Sequence, residues 1–202
     1  MVRTEDQTEL RVVRKAEVPQ LVSMASSGSM SAFEELVRRY RNEVYALAYH
    51  FTRNREDAWD LSQEVFIKAH RGLASFRGDA SFKTWLLRIT ANQCKDHLKK
   101  RRLRVVALED EGALERMPAH EPGPADRMES SELGEAIAGC LNALPAKHRM
   151  ALVLREYQGL SYEEMAEVMR CSVGTVMSRL HHARRKMRNI LIRKGIVEGN
   201  ER

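Results

Sequence analysis

The chain has 202 residues, 43% of them apolar, a net charge of +6 and a pI near 9.4, which allows one good hydrophobic core or two small ones and favours an acidic partner. No apolar run approaches the ~20 residues of a membrane span and no secretory signal is visible, so a cytoplasmic protein with no membrane contact of its own is expected. The three cysteines, Cys94, Cys140 and Cys171, are odd in number and widely spaced, and fit neither a disulfide framework nor a metal-ligating pattern.

Residues 1–28 are weakly patterned and read as a mobile leader, with a short helix around Val18 to Ala25. A first helical domain is expected over 29–103. Ser31 and Glu34 have capping-box spacing, and Phe33, Leu36, Val37, Tyr40, Val44, Leu47, Ala48 and Phe51 then hold a helical apolar stripe. Asn54 and Arg55 interrupt it. The next helix runs from about Glu56 to Leu73, with Ala58, Leu61, Val65 and Ala69 facing the first.

Asp57, Asp60 and Glu64 lie at i, i+3 and i+7, so three carboxylates share another face of that helix. Like charges on one exposed stripe repel unless a basic partner is present, which points to a docking surface for a basic protein. A solvated acidic face and a divalent-metal site are the competing readings. Helical metal sites usually need a matching acidic helix or a Glu-x-x-His pair, and neither is present, so no metal or other cofactor is expected.

The stretch Leu73 to Ser81 is a loop turning at Gly78. Phe76 and Arg77 lie within it, and Phe82, Lys83 and Trp85 follow directly. Aromatic rings interleaved with cations are what single-stranded bases stack on, although Phe82 and Trp85 also fit a helix core. A third helix spans Phe82 to about Arg102. It carries Trp85, Leu86, Ile89 and Leu98 inward and Asn92, Lys95, Lys99 and Lys100 on another face, where phosphate contact competes with simple solvation.

From Arg104 to Glu135 there are nine Asp or Glu against three Arg, and Pro118, Pro122 and Pro124 forbid a continuous helix. Residues 104–130 read as a flexible acidic linker. The second domain, 131–195, opens with Leu133, Ile137, Leu141 and Leu144 on one helix. Pro145 begins the next, which ends at Gly159, and residues 196–202 form a polar tail.

Within it, about 161–188 read as a helix-turn-helix. Ser161 with Glu164 makes a capping box, Ser172 caps the second helix, and Val173, Val176, Leu180, Ala183 and Met187 mark its buried stripe. Its other face carries Ser172, Gly174, Thr175, Ser178, Arg179, His182 and Arg185, types suited to base edges and phosphates in a major groove. Eight Arg or Lys and no Asp or Glu lie between Arg170 and Lys194, and phosphate contact supplies much of DNA affinity.

Both halves resemble one family. The run from Asp57 to Ala69 looks like the core-polymerase-binding helix of bacterial sigma-70-type factors, and Phe82 to Arg102 is similar to their promoter-melting helix. Leu144 to Arg149, Gly159 to Ala166 and Ser172 to Leu180 match the family's second DNA-binding domain. Two outer domains joined directly by a linker are the layout of the extracytoplasmic-function group.

The resemblance implies an all-α fold, two small helical domains (sigma regions 2 and 4) on a flexible linker. It also implies docking on core RNA polymerase through Asp57, Asp60, Leu61, Gln63, Glu64 and Phe66. Phe76, Arg77, Lys83, Trp85, Asn92, Lys95 and Lys99 would open and hold the −10 element, extruding a base at a cost of a few kcal/mol. The recognition helix would read the −35 element of promoter DNA, and an anti-sigma factor is an expected partner. Met177, His181 and His182 stand where some relatives carry Arg or an aromatic, so the −35 sequence is not deducible.

A conventional helix-turn-helix repressor is the rival reading. It leaves the acidic helix and aromatic loop without a use, and no dimerisation helix is evident. An enzyme has less support still: there is no glycine-rich phosphate loop, no nucleophile motif and no metal cluster, so no catalytic residues are expected.

Overall fold

A computed structural model of the chain describes residues 11–110 and 132–198; the described regular structure is helical, with no strand among the described residues. Residues 11–15 (α1) and Val18–Ser26 (α2) precede Met30–Thr52 (α3), Arg55–Gly72 (α4) and Phe82–Asp110 (α5). Glu132–Asn142 (α6), Ala146–Leu152 (α7), Tyr162–Met169 (α8) and Val173–Arg193 (α9) form the second half.

The central helix is α3. Its buried Phe33, Leu36, Val44, Leu47, Ala48 and Phe51 follow the helical repeat and pack against α2, α4 and α5. A fully buried Leu such as Leu36 or Leu47 contributes roughly 1.5–3 kcal/mol over an exposed one. The helix starts two residues earlier than the expected Ser31 cap, because Ser29 Oγ accepts from the Ala32 amide at 3.3 Å. Arg53 then ends it in the left-handed region (φ 54°), and Asn54 Oδ1 accepts from the Asp57 amide at 3.0 Å to start α4.

The expected mobile leader is corrected for residues 11–28. Val13 and Leu21 are buried against the first domain, and α2 carries its own capping box between Glu17 and Gln20. The sequence hid this because only one apolar side chain per helix is fully covered. The third helix also outruns its expected end near Arg102 and continues to Asp110. Most of the acidic linker, 111–131, lies outside the described residues, as do residues 1–10 and 199–202.

In the second half Met150 to Leu154, Met165, Val168, Met169, Val176, Leu180 and Ala183 build a second core. Beyond α7 the backbone widens into a π turn, Val153–Tyr157, with the Gln158 amide bonded to the Val153 carbonyl at 3.1 Å. Gly159 (φ 68°) ends the segment in a conformation that only glycine adopts cheaply.

The two halves pack together, chiefly through α5 and α8. Lys83 Nζ donates to the Gln158 carbonyl at 2.8 Å and Thr84 Oγ1 donates to Glu164 Oε1 at 3.1 Å. Gln158 Nε2 donates to the Glu43 carbonyl at 3.2 Å, and Arg149 Nη1 donates to the His50 carbonyl at 3.2 Å while its guanidinium lies over the Phe51 ring. The His50 ring meets Tyr157 edge-on with centroids 4.5 Å apart.

Candidate functional site

On α4 the core-facing stripe (Ala58, Leu61, Ser62, Val65, Ala69) leaves the opposite face to solvent. Asp57, Asp60, Gln63 and Glu64 are all exposed there. Glu64 Oε2 accepts from Gln93 Nε2 at 2.7 Å, and Gln93 Oε1 accepts from Lys68 Nζ, so α5 holds that carboxylate in place. Asp57 lies 3.9 Å from His97 Nε2.

Two of the expected residues fall elsewhere. Leu61 is buried against the core and Phe66 is half-buried beside it, so Leu61 is no part of the exposed face. Ile67 was missed. It is 51% exposed and lies off the buried stripe, at i+7 from Asp60, i+4 from Gln63 and i+3 from Glu64. Trp59, 55% exposed and packed on Tyr45 at 5.4 Å, is a second uncovered apolar group on this helix. The signal was available for Ile67: an apolar residue out of phase with the stripe.

In the loop before α5, Phe76 lies 5.1 Å from Trp85 and edge-on to Phe82 at 6.1 Å, while Trp85 and Phe82 are 5.6 Å apart. The Trp85 ring lies against the end of α4 beside Gly72, where an added Cβ would touch it at an ordinary contact distance of 3.4 Å. Phe76 and Trp85 are half-buried while Phe82 is buried, so the rings support the loop and keep partial faces outward. Gly78 (φ 78°) turns the chain, Arg77 is exposed beside it, and Ser81 Oγ caps α5 by accepting from the Thr84 amide at 3.0 Å.

Along α5, Asn92 is half-buried and Lys95 and Lys99 are exposed. Partial burial holds the Lys95 ammonium below the ordinary lysine range, and Arg170 and Arg179 of the second half push the same way. Lys83, half-buried at the start of α5, faces the second half, where its ammonium meets the Gln158 carbonyl.

That motif forms as its sequence specifies. Ser161 Oγ accepts from the Glu164 amide at 3.1 Å while Glu164 Oε2 accepts from the Ser161 amide at 2.8 Å. Arg170 makes the turn in the left-handed region (φ 52°), and Ser172 Oγ accepts from the Thr175 amide at 3.2 Å to start α9. Ser172, Gly174, Ser178 and Arg185 are exposed, and no atom lies within 4 Å of where a Gly174 Cβ would stand. Thr175 is half-buried with its hydroxyl 2.9 Å from Ser172 Oγ, and Arg179 Nη1 lies 3.4 Å from Cys171 Sγ.

His182 is half-buried, 6.2 Å from the His148 ring of α7 and 5.6 Å from His181. Burial, then Lys186, His182 and Arg179, hold the His148 imidazole below its usual range. Arg184 is tied to Glu156 at 2.8 Å.

A short helix capped on a tight turn, followed by a long cation-rich helix with small side chains at its start, defines a DNA-reading helix-turn-helix protein. The first half adds an acidic exposed helix and an aromatic loop. Residues 36–104 match the family model for sigma-70 region 2, and residues 134–187 match that for sigma-70, region 4. The chain is 41% identical over 171 residues to the RNA polymerase sigma-H factor of Pseudomonas aeruginosa, covering 82% of this chain and 89% of that protein. Over 179 residues it is 41% identical to the ECF RNA polymerase sigma-E factor of Escherichia coli, covering 84% of this chain and 91% of that protein.

Two solved structures are similar at 28% identity. One is the sigma factor RpoE of Bartonella quintana in complex with the anti-sigma factor NepR (TM-score 0.65, covering 79% of this chain and 96% of that one). The other is CnrH in complex with the cytosolic domain of CnrY (TM-score 0.64, 85% and 94%). The chain belongs to the sigma-70 family of RNA polymerase sigma factors, in its extracytoplasmic-function branch.

No helix among the described residues is long and apolar enough to cross a membrane, and no group of three or more His, Cys, Asp or Glu there could hold a metal ion.

Proposed function

We propose that this chain is a promoter-specificity subunit with no catalytic chemistry of its own, acting in the cytoplasm. Through the exposed face of α4 it docks on core RNA polymerase, with Asp57, Asp60, Gln63 and Glu64 as the polar contacts. The loop bearing Phe76 and Arg77, with Lys83, Trp85, Asn92, Lys95 and Lys99, engages the −10 element as it opens. Partial ring faces at Phe76 and Trp85 offer stacking worth roughly 1–3 kcal/mol per base.

In the same reading α9 enters the major groove at the −35 element. Ser172, Gly174, Thr175 and Ser178 let its first turn approach the DNA, and Arg179, His182 and Arg185 follow along the groove. Regulation by an anti-sigma factor is part of the proposal, supported by the complexes in which the two similar structures were solved.

The observation that carries this reading is the solvent-facing acidic row on α4, in a chain that also has a cation-rich recognition helix. A self-sufficient DNA-binding regulator has no use for such a row. Run-off transcription from a pool of upstream fragments tests it, with purified core polymerase in the presence and absence of the protein. Defined transcripts that need the protein support the reading. Tight duplex binding without polymerase, and no such transcripts, would replace it with a conventional regulator.

A further inference from the structure

Gln93 lies on α5 with only 7% of its surface exposed, yet both ends of its side-chain amide reach groups at the surface of α4. Nε2 donates to Glu64 Oε2 at 2.7 Å, and Oε1 accepts from Lys68 Nζ. The partners fix which way the amide points, because an ammonium can only donate and an ionised carboxylate can only accept. Glu64 and Lys68 are both exposed and stand four residues apart on α4.

A Glu followed four residues later by a Lys is the spacing at which the two pair directly on a helix. Direct pairing draws the Glu64 carboxylate toward the C-terminal end of α4, away from Asp60 one turn back, and cancels its charge. The Gln93 amide stands between the two and takes one bond from each, so the carboxylate stays where the docking row needs it.

This arrangement adds little to folding. Glu64 and Lys68 are exposed, so water satisfies both of them when the amide is removed. At 7% exposure Gln93 also offers almost no area to a protein partner of its own. What the amide supplies is a fixed place for a charge.

We propose that Gln93 is a positioning residue for polymerase docking. Its amide spaces Glu64 from Lys68, so the carboxylate meets a basic partner already placed and not neutralised by its own helix. The proposal rests on the docking reading of α4 given above, and its tests separate the two.

Gln93→Met keeps the length of the side chain and removes both bonds. In the full-length protein it should weaken binding to core polymerase by about fivefold, measured by competition against a labelled unaltered chain. The melting temperature should stay within about 2 °C, whereas a residue that only supported the fold would move both readouts together. Glu64→Ala should lose at least as much affinity. Adding Gln93→Met to Glu64→Ala should then cost less than about twofold more, since both act through one carboxylate. That comparison also subtracts any effect of the substitution on the fold, and Gln93→Leu is read through the same cycle if the Met variant is destabilised.

Lys68 supplies a second check. In a chain carrying Lys68→Gln, Gln93→Met should cost about twofold instead of about fivefold, because the competing ammonium has gone. Equal losses with Glu64 present or absent overturn the positioning role and leave the docking reading in place. So does an unchanged affinity of Gln93→Met where Glu64→Ala lowers it. If Glu64→Ala itself binds polymerase as tightly as the unaltered chain, the docking role of that carboxylate is overturned and the proposal falls with it.

Discussion

Glu35 is a carboxylate almost wholly removed from water on the first turns of α3. Arg38 holds it with two hydrogen bonds of 2.7 Å and Arg39 with a third. The Arg38 hydrogen bond is the largest influence on its acidity. With Arg39 it outweighs burial and brings the Glu35 pKa down from 4.5 to about 2. A carboxylate depressed on folding adds stability that is complete above its unfolded pKa and lost as pH falls from about 4.5 through about 2. Glu35→Gln should therefore lower stability at pH 7 by roughly 1–3 kcal/mol. It should also flatten the acid limb of the melting-temperature profile; an unchanged limb would assign acid sensitivity to other groups.

Ile67 belongs to the same scale. An apolar side chain ringed by Asp60, Gln63 and Glu64 has the form of an interface anchor, dry at the centre and charged at the rim. Ile67→Ala should weaken polymerase binding by about 1–2 kcal/mol, roughly a tenfold loss, with the helical circular dichroism unchanged. Loss of binding from Asp60→Ala and Glu64→Ala with none from Ile67→Ala would show that charge alone carries the contact.

Two elements respond to solution conditions in opposite ways. On α9 the exposed Arg185 is assigned to a −35 phosphate or base. If it meets a phosphate, Arg185→Ala should reduce the slope of log affinity against log salt by about one, across all duplex sequences tested. If it reads a base instead, the loss should appear at one position of the promoter and leave the slope nearly unchanged. Comparing holoenzyme affinities on a set of promoter variants separates these outcomes.

At the seam between the halves, burial is the main reason the His50 pKa falls from 6.5 to about 4, with Arg53 beside it and Arg149 of α7 adding to the effect. Those two cations and the Tyr157 ring are the groups that face it. A base depressed on folding binds fewer protons in the folded chain than in the unfolded one. Folding stability is thus nearly unaffected at pH 7 and falls as pH drops below 6.5 towards about 4, by on the order of 2 kcal/mol at pH 5. The melting temperature should fall accordingly between pH 7 and pH 5, and His50→Phe should remove that part of the fall.

At the scale of the molecule, the parts legible in the sequence are those built from local chemistry. The capping box at Ser161 and Glu164, the Ser172 cap and the stripe Val176, Leu180, Ala183 follow from spacing and appear where expected. The α3 stripe was equally clear, but its start was not, because Ser29 and Ser31 are both competent caps. Leu61 was assigned to an interface through its neighbours' motif, although its own phase on α4 places it in the core. Least legible was the seam. Four of its hydrogen bonds use backbone carbonyls or a side chain already engaged in a cap, and such contacts leave no pattern in residue type.

The π turn at Val153–Tyr157 has a genetic corollary. A π turn is one residue more than an α-helix needs, and each residue turns a helix by about 100°. Deleting one codon within 153–157 would return the segment to α-helical phase and rotate Tyr157 and Gln158 away from His50 and Glu43, while α8 and α9 keep their own caps. Such a three-nucleotide deletion should loosen the seam between the two halves and lower the melting temperature, while the helix-turn-helix keeps its own caps.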